Sequence, residues 1–266
     1  MKRFHFAVSL TGLLLLSSGM ALEGAITCST SDYSGSYAFY TTGALLQLPP
    51  QGAVLLGPFA QSGIFTSDGQ GNVIIESNAS YNGLVLTGNA TSTYTITPEC
   101  VVTFSLTLPF PLSVPSTFTG ILSGSNRQDT VMITDPPGSV VVGRHVKQDQ
   151  RFCGLSDFNG AYQIDINGTI AAPRERAGLF QRIGRLVSDG AGNFTAKTIG
   201  NYAGRFVQED FNGSYEVSAK CFVTLKYRSL GEDVTINGAM GGHGETAMVM
   251  VMSPGWAVSG QLRAQQ

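Results

Sequence analysis

Few side chains in this chain are equipped for chemistry. Charged residues make up only 13% of it, and past the N-terminal segment only two histidines remain, His145 and His243. A histidine becomes a general base when one ring nitrogen is oriented by a carboxylate and the other faces a substrate. His145 follows Val140-Val141-Val142-Gly143, and His243 sits in Gly241-Gly242-His243-Gly244-Glu245. No Gly-x-Ser-x-Gly nucleophile elbow accompanies them, so both read as surface or turn residues and no catalytic residue is assigned. Asp68-Gly69-Gln70-Gly71-Asn72 and Asp189-Gly190-Ala191-Gly192-Asn193 have the look of calcium loops. Calcium takes six to eight oxygens, and each loop brings one carboxylate, so tight hairpin turns explain them without an ion. No metal and no cofactor are expected.

Strand parity singles out four further positions. Alternation places Phe59, Gln61, Gly63 and Phe65 on one inward face, and Phe180, Arg182, Gly184 and Leu186 on a matching one. Gln61 and Arg182 are therefore polar groups among apolar neighbours, where burial without a partner is costly. Either Arg182 pairs internally, with Glu175 or Glu209, or it points into a cavity and meets an anionic or carbonyl-bearing ligand. A few polar groups in an apolar pocket are how small-molecule sites gain specificity. Gln61, Phe65, Arg182 and Leu186 are the expected ligand contacts.

These positions recur because the chain is duplicated. Cys28-x-x-x-Asp32-x-x-Gly35-x-Tyr37 returns as Cys153-x-x-x-Asp157-x-x-Gly160-x-Tyr162, and Cys100-Val101-Val102-Thr103 returns as Cys221-Phe222-Val223-Thr224. A period this long is a whole domain and not a solenoid unit. Four cysteines allow three pairings, and the duplication favours Cys28–Cys100 and Cys153–Cys221. Metal binding by these thiols lacks any close C-x-x-C spacing.

Each repeat is a series of short alternating segments punctuated by turn signals, among them Asn82-Gly83, Asn159-Gly160 and Asn237-Gly238. Cys100, Val102, Phe104 and Leu106 share one face, and Tyr37 and Phe39 share another. The alternation Met248-Val249-Met250-Val251-Met252 reads as a buried strand. The chain is expected to be all-β, two tandem small antiparallel β-barrels over 28–148 and 153–265, with a β-sandwich as the alternative. The linker Asp149-Gln150-Arg151-Phe152 is too short to let the barrels part. Two Pro-rich apolar insertions, 45–50 and 108–115, mark the first repeat and an arginine set marks the second.

Residues 1–21 read as a secretory signal: Lys2 and Arg3, an apolar run through Leu13–Leu16, and a small-x-small site at Gly19-Met20-Ala21. The run is too short and too broken for a transmembrane anchor. Secretion, extracellular or periplasmic, fits the cysteine usage. The net charge of −2 becomes about −4 once Lys2 and Arg3 are removed, which argues against nucleic acid or an anionic membrane as the main partner.

The chain resembles the allene oxide cyclase barrel-like domain of secreted bacterial proteins. The residues that carry the likeness are Cys28 to Tyr37, Phe59 to Phe65, Asp68 to Asn72 and Tyr94 to Cys100, with a second set at Cys153 to Tyr162, Phe180 to Leu186, Asp189 to Asn193 and Gly213 to Cys221. Leu186 in place of a second Phe, and Ser92-Thr93 in place of Gly, depart from the pattern. The resemblance implies a calycin-like barrel and carries no catalytic residue with it. It favours binding of a small apolar or amphipathic ligand inside a barrel. An isomerase or cyclase is the second expectation, and a structural or adhesive cell-surface module the third.

Overall fold

The computed structural model describes residues 27–47, 55–107, 115–123, 128–149 and 152–265. The expected leader, half of the first Pro-rich insertion and all but Pro115 of the second lie outside them. Two eight-stranded antiparallel barrels follow one another along the chain. The first is built from β1 (Ser34–Leu45), β2 (Gly57–Asp68), β3 (Asn72–Tyr81), β4 (Leu84–Ile96), β5 (Val101–Thr107), β6 (Pro115–Leu122), β7 (Gln128–Asp135) and β8 (Ser139–Lys147). The second uses β9 (Asn159–Ile170), β10 (Gly178–Asp189), β11 (Asn193–Tyr202), β12 (Arg205–Val217), β13 (Phe222–Ser229), β14 (Glu232–Gly241), β15 (Thr246–Val251) and β16 (Trp256–Ala264). Each strand pairs with the next, and the last closes on the first, β8 on β1 and β16 on β9. Closure removes the free sheet edges that a sandwich would leave.

The shared motifs do the same local work in both copies. A 3-10 turn at Thr30–Asp32 is capped by its own aspartate, Ser29 N–H donating to Asp32 Oδ2 at 2.8 Å, and Gly154 N–H donates to Asp157 Oδ2 at 2.7 Å. The disulfides Cys28–Cys100 and Cys153–Cys221 pin these turns to the far side of the barrels. Tyr94 and Tyr215 donate their hydroxyls to the backbone carbonyls of Thr30 and Leu155, tying the turns down a second time. At the Asp68 loop the carboxylate accepts from Gln70 N–H, Asn72 N–H and Asn72 Nδ2 at 2.7, 3.0 and 2.6 Å, and Asp189 does likewise. The carboxylate is spent on its own turn.

The barrels pack side by side, so several strands are buried on both faces. Ala38, Ile64 and Val146 of the first meet Ala239 and Met248 of the second. Ser62 Oγ donates to Met248 O, Ser80 Oγ to Trp256 O and Ser259 Oγ to Thr41 O, at 2.7, 2.6 and 2.7 Å. Gly83 and Gly255 pass so close that a Cβ on Gly83 would lie 2.5 Å from Gly255 Cα. The methionine strand is explained here: Val249 and Val251 fill the second barrel while Met248 faces the first.

Burial of tyrosines makes the fold alkali-sensitive. Removal from water pushes the hydroxyls of Tyr81 and Tyr227 up to about 12. A group whose pKa is higher folded than unfolded contributes stability below its unfolded value, near 10, and loses it as pH rises to the folded one. These tyrosines should therefore leave urea unfolding unaffected between neutral pH and about 10 and weaken the fold between about 10 and 12, by on the order of 2–3 kcal/mol each. Unchanged midpoints at pH 9 and pH 11.5 would contradict this.

Candidate functional site

The two barrel interiors differ, and the difference lies in a few register-matched positions. In the first barrel β1 pairs with β2 so that Thr41 faces Gln61, and β3 with β4 so that Ser77 faces Gly88 and Ile75 faces Ala90. In the second, Ile166 faces Arg182, Thr198 faces Glu209 and Ala196 faces Phe211. Gly88 and Ala90 thus stand where the second barrel has Glu209 and Phe211. A Cβ built on Gly88 meets nothing within 4 Å. The space left is a cavity of about 60 Å³, walled by Phe39, Phe65, Phe104 and Phe118 with Gln61 and His145 among the polar lining.

In the second barrel the same space is filled. Arg182 is 2% exposed, and its guanidinium donates to Tyr227 Oη (3.1 Å), Tyr202 Oη (2.6 Å), Ser229 Oγ (2.9 Å) and Glu209 Oε2 (2.5 Å). Glu209 also accepts from Leu230 N–H at 3.0 Å. The Phe180 and Phe211 rings lie 5.7 and 5.5 Å from the guanidinium carbon, within cation–π range. Of the two carboxylates expected to pair with Arg182, Glu209 does so; Glu175 is exposed on the turn after β9. Leu186 is buried in this second core.

The four expected ligand contacts therefore separate. Gln61 and Phe65 line the cavity, with Gln61 Nε2 donating to Ser77 Oγ at 2.9 Å and Phe65 stacked on Tyr37 at 4.9 Å. Arg182 and Leu186 belong to the filled barrel.

His145 is not the surface residue that its sequence context suggests. It is 7% exposed, and strand register sets it beside Phe39 on β1 and Asp129 on β7. Tyr33, which ends the first 3-10 turn, donates its hydroxyl to Asp129 Oδ2 at 2.8 Å and lies 2.9 Å from His145 Nδ1. Asp129 Oδ1 is 3.1 Å from the same nitrogen. The rings of Phe39, Phe65 and Phe104 meet the imidazole edge-on at 5.8, 4.7 and 5.6 Å. Sequence reasoning missed this group because Tyr33 lies 96 and 112 residues from Asp129 and His145; the available signal was that Tyr33, Asp129 and His145 have no polar counterparts in the second repeat. His243, by contrast, is exposed, with Nε2 3.9 Å from Asp149 Oδ2.

No protein-family model and no curated protein sequence matches the chain. Among solved structures it is similar to the isotype 1 transferrin binding protein B of serogroup B Neisseria meningitidis, at 7% identity over 86% of this chain and 74% of that one, with a TM-score of 0.32. At that score the likeness bears on no functional question.

Proposed function

We propose that the chain is an exported binding protein whose first barrel takes a small ligand and whose second barrel is a filled brace. The observation that carries this is the replacement of Glu209 and Phe211 by Gly88 and Ala90 on one scaffold. The second barrel's interior is filled by the arginine network and Phe211, and the first barrel's retains a walled cavity. Ligand pockets for drug-sized molecules run to about 300–1,000 Å³, so about 60 Å³ restricts the ligand to a handful of heavy atoms. The leader at 1–21, secretion after its removal, units spanning 28–148 and 153–265, and membership of the allene oxide cyclase barrel-like family belong to the same reading. The two disulfides support an oxidising compartment.

The test is ligand-observed NMR with four small molecules that share a branched isopropyl end: isopentane, isobutanol, isobutylamine and isobutyrate. At least one should bind saturably, and Gly88→Leu should weaken it about tenfold or more by occupying the space. Binding of none, or equal binding to the Gly88→Leu protein, would overturn the reading. A structural or adhesive module is the second reading, favoured by a groove between the barrels in which Val140, Val142 and Leu179 are exposed. It predicts that Leu179→Ser abolishes attachment and leaves fragment binding intact.

A further inference from the structure

Four polar side chains buried in the first barrel have apolar counterparts in the second. Register and motif match Tyr33 with Phe158, Thr41 with Ile166, Asp129 with Ala247 and His145 with Leu262. Burying a carboxylate and an imidazole costs stability that alanine and leucine do not. The second barrel shows that this fold closes without them. They are therefore not demanded by the scaffold, and the position of two of them, Thr41 and His145, against the cavity becomes informative.

The geometry assigns their protons. Burial, reinforced by the Asp129 carboxylate, holds the Tyr33 hydroxyl protonated far above its ordinary range. That hydroxyl has a single proton and donates it to Asp129 Oδ2. Nδ1 of His145, 2.9 Å from the Tyr33 oxygen, must then be the donor to it, since Asp129 Oδ1, 3.1 Å away, takes part in no hydrogen bond. For a neutral ring the tautomer is thereby set, with the proton on Nδ1 and the lone pair on Nε2. Nε2 has no hydrogen-bond partner among the described residues. On the same wall Thr41 is 3% exposed and its Oγ1 is buried without a partner, as is Asp129 Oδ1 behind the imidazole. Buried polar atoms are seldom left so.

Resting on the cavity reading above, we propose that the first barrel binds a small uncharged molecule bearing a hydroxyl group, which donates to His145 Nε2 and meets Thr41 Oγ1 while the phenylalanine wall takes its apolar part. A hydroxyl is both donor and acceptor, so one group serves both protein atoms. An anion is disfavoured by the buried Asp129 carboxylate behind the imidazole. An ammonium carries a desolvation cost that an uncharged hydroxyl does not. Tyr33 and Asp129 are positioning residues, acting through the imidazole.

The same four probes test this, now by their ranking. The decisive variant is the triple substitution Tyr33→Phe, Asp129→Ala and His145→Leu, which installs the residues that the second barrel already accommodates. Isobutanol affinity should fall about tenfold or more, the loss of a buried hydrogen bond, while isopentane binds as well as before or better. Nitrogen NMR of the wild-type protein keeps the proposal exposed if that variant folds poorly: the His145 Nε2 resonance should move on adding isobutanol and not on adding isopentane. The proposal is overturned if both probes lose affinity together, if neither does, if isobutyrate or isobutylamine outranks isobutanol, or if Nε2 fails to move. Should no probe bind the wild-type protein at all, the cavity reading itself has failed.

Discussion

Replacing Arg182 with methionine will destabilise the second barrel by about 3–5 kcal/mol, the usual cost of stranding one member of a buried ion pair. The loss comes less from the missing attraction than from what is left behind. Glu209 stays in the interior with its Oε2 deprived of the guanidinium, and Tyr202, Tyr227 and Ser229 each lose a donor. Removing the carboxylate as well, with Arg182→Met and Glu209→Leu together, should recover most of the stability, because apolar groups of similar volume often replace a buried pair at little cost. The single tryptophan makes the measurement specific. Trp256 lies in the second barrel against Phe180, ring centroids 5.2 Å apart, so its fluorescence reports that barrel's unfolding in urea. A single variant within about 1 kcal/mol of wild type, or a double variant worse than the single, would contradict the account.

Loss of a disulfide is expected to act on a similar scale by a different route. Cys153→Ser with Cys221→Ser opens a loop of 68 residues, and Cys28→Ser with Cys100→Ser one of 72. In the chain-entropy model each closure contributes about 4 kcal/mol by restricting the unfolded chain, which corresponds to a fall in Tm of roughly 15 °C for a barrel of this size. Calorimetry of each double variant against wild type measures it. Because the barrels share a buried junction through Ala38, Ile64, Val146, Ala239 and Met248, opening one loop should also lower the transition of the other barrel. Independent transitions would show that the junction adds little, and a Tm unchanged by reduction would contradict the disulfide contribution.

The strands, their inward faces and the cysteine pairs were legible because each is a local property written twice. Cys100, Val102 and Phe104 are buried as period-two alternation requires. The Asp-Gly-x-Gly-Asn loops are turns because Asp68 and Asp189 satisfy backbone donors within four residues. Alternation predicts one buried face per strand, however, and β1 and β2 bury both, since Ala38, Ser62 and Ile64 meet the neighbouring barrel. No period in a single strand records what a second sheet will cover.

The site was half legible for the same reason. Parity placed Gln61 and Phe65 inward, and they line the cavity. Parity placed Arg182 and Leu186 inward too, yet it could not choose between Glu175 and Glu209 as the partner, nor say that Phe211 would arrive from β12 to fill the space beside them. Nor could it bring Asp129 and His145, on the two strands before closure, against Tyr33 at the start of the barrel. Turn chemistry and alternation are set by neighbours along the chain, and so composition and order suffice for them. Whether a barrel interior is filled or hollow depends on how side chains from four or more strands sum in one volume, and only the closed register brings those side chains together.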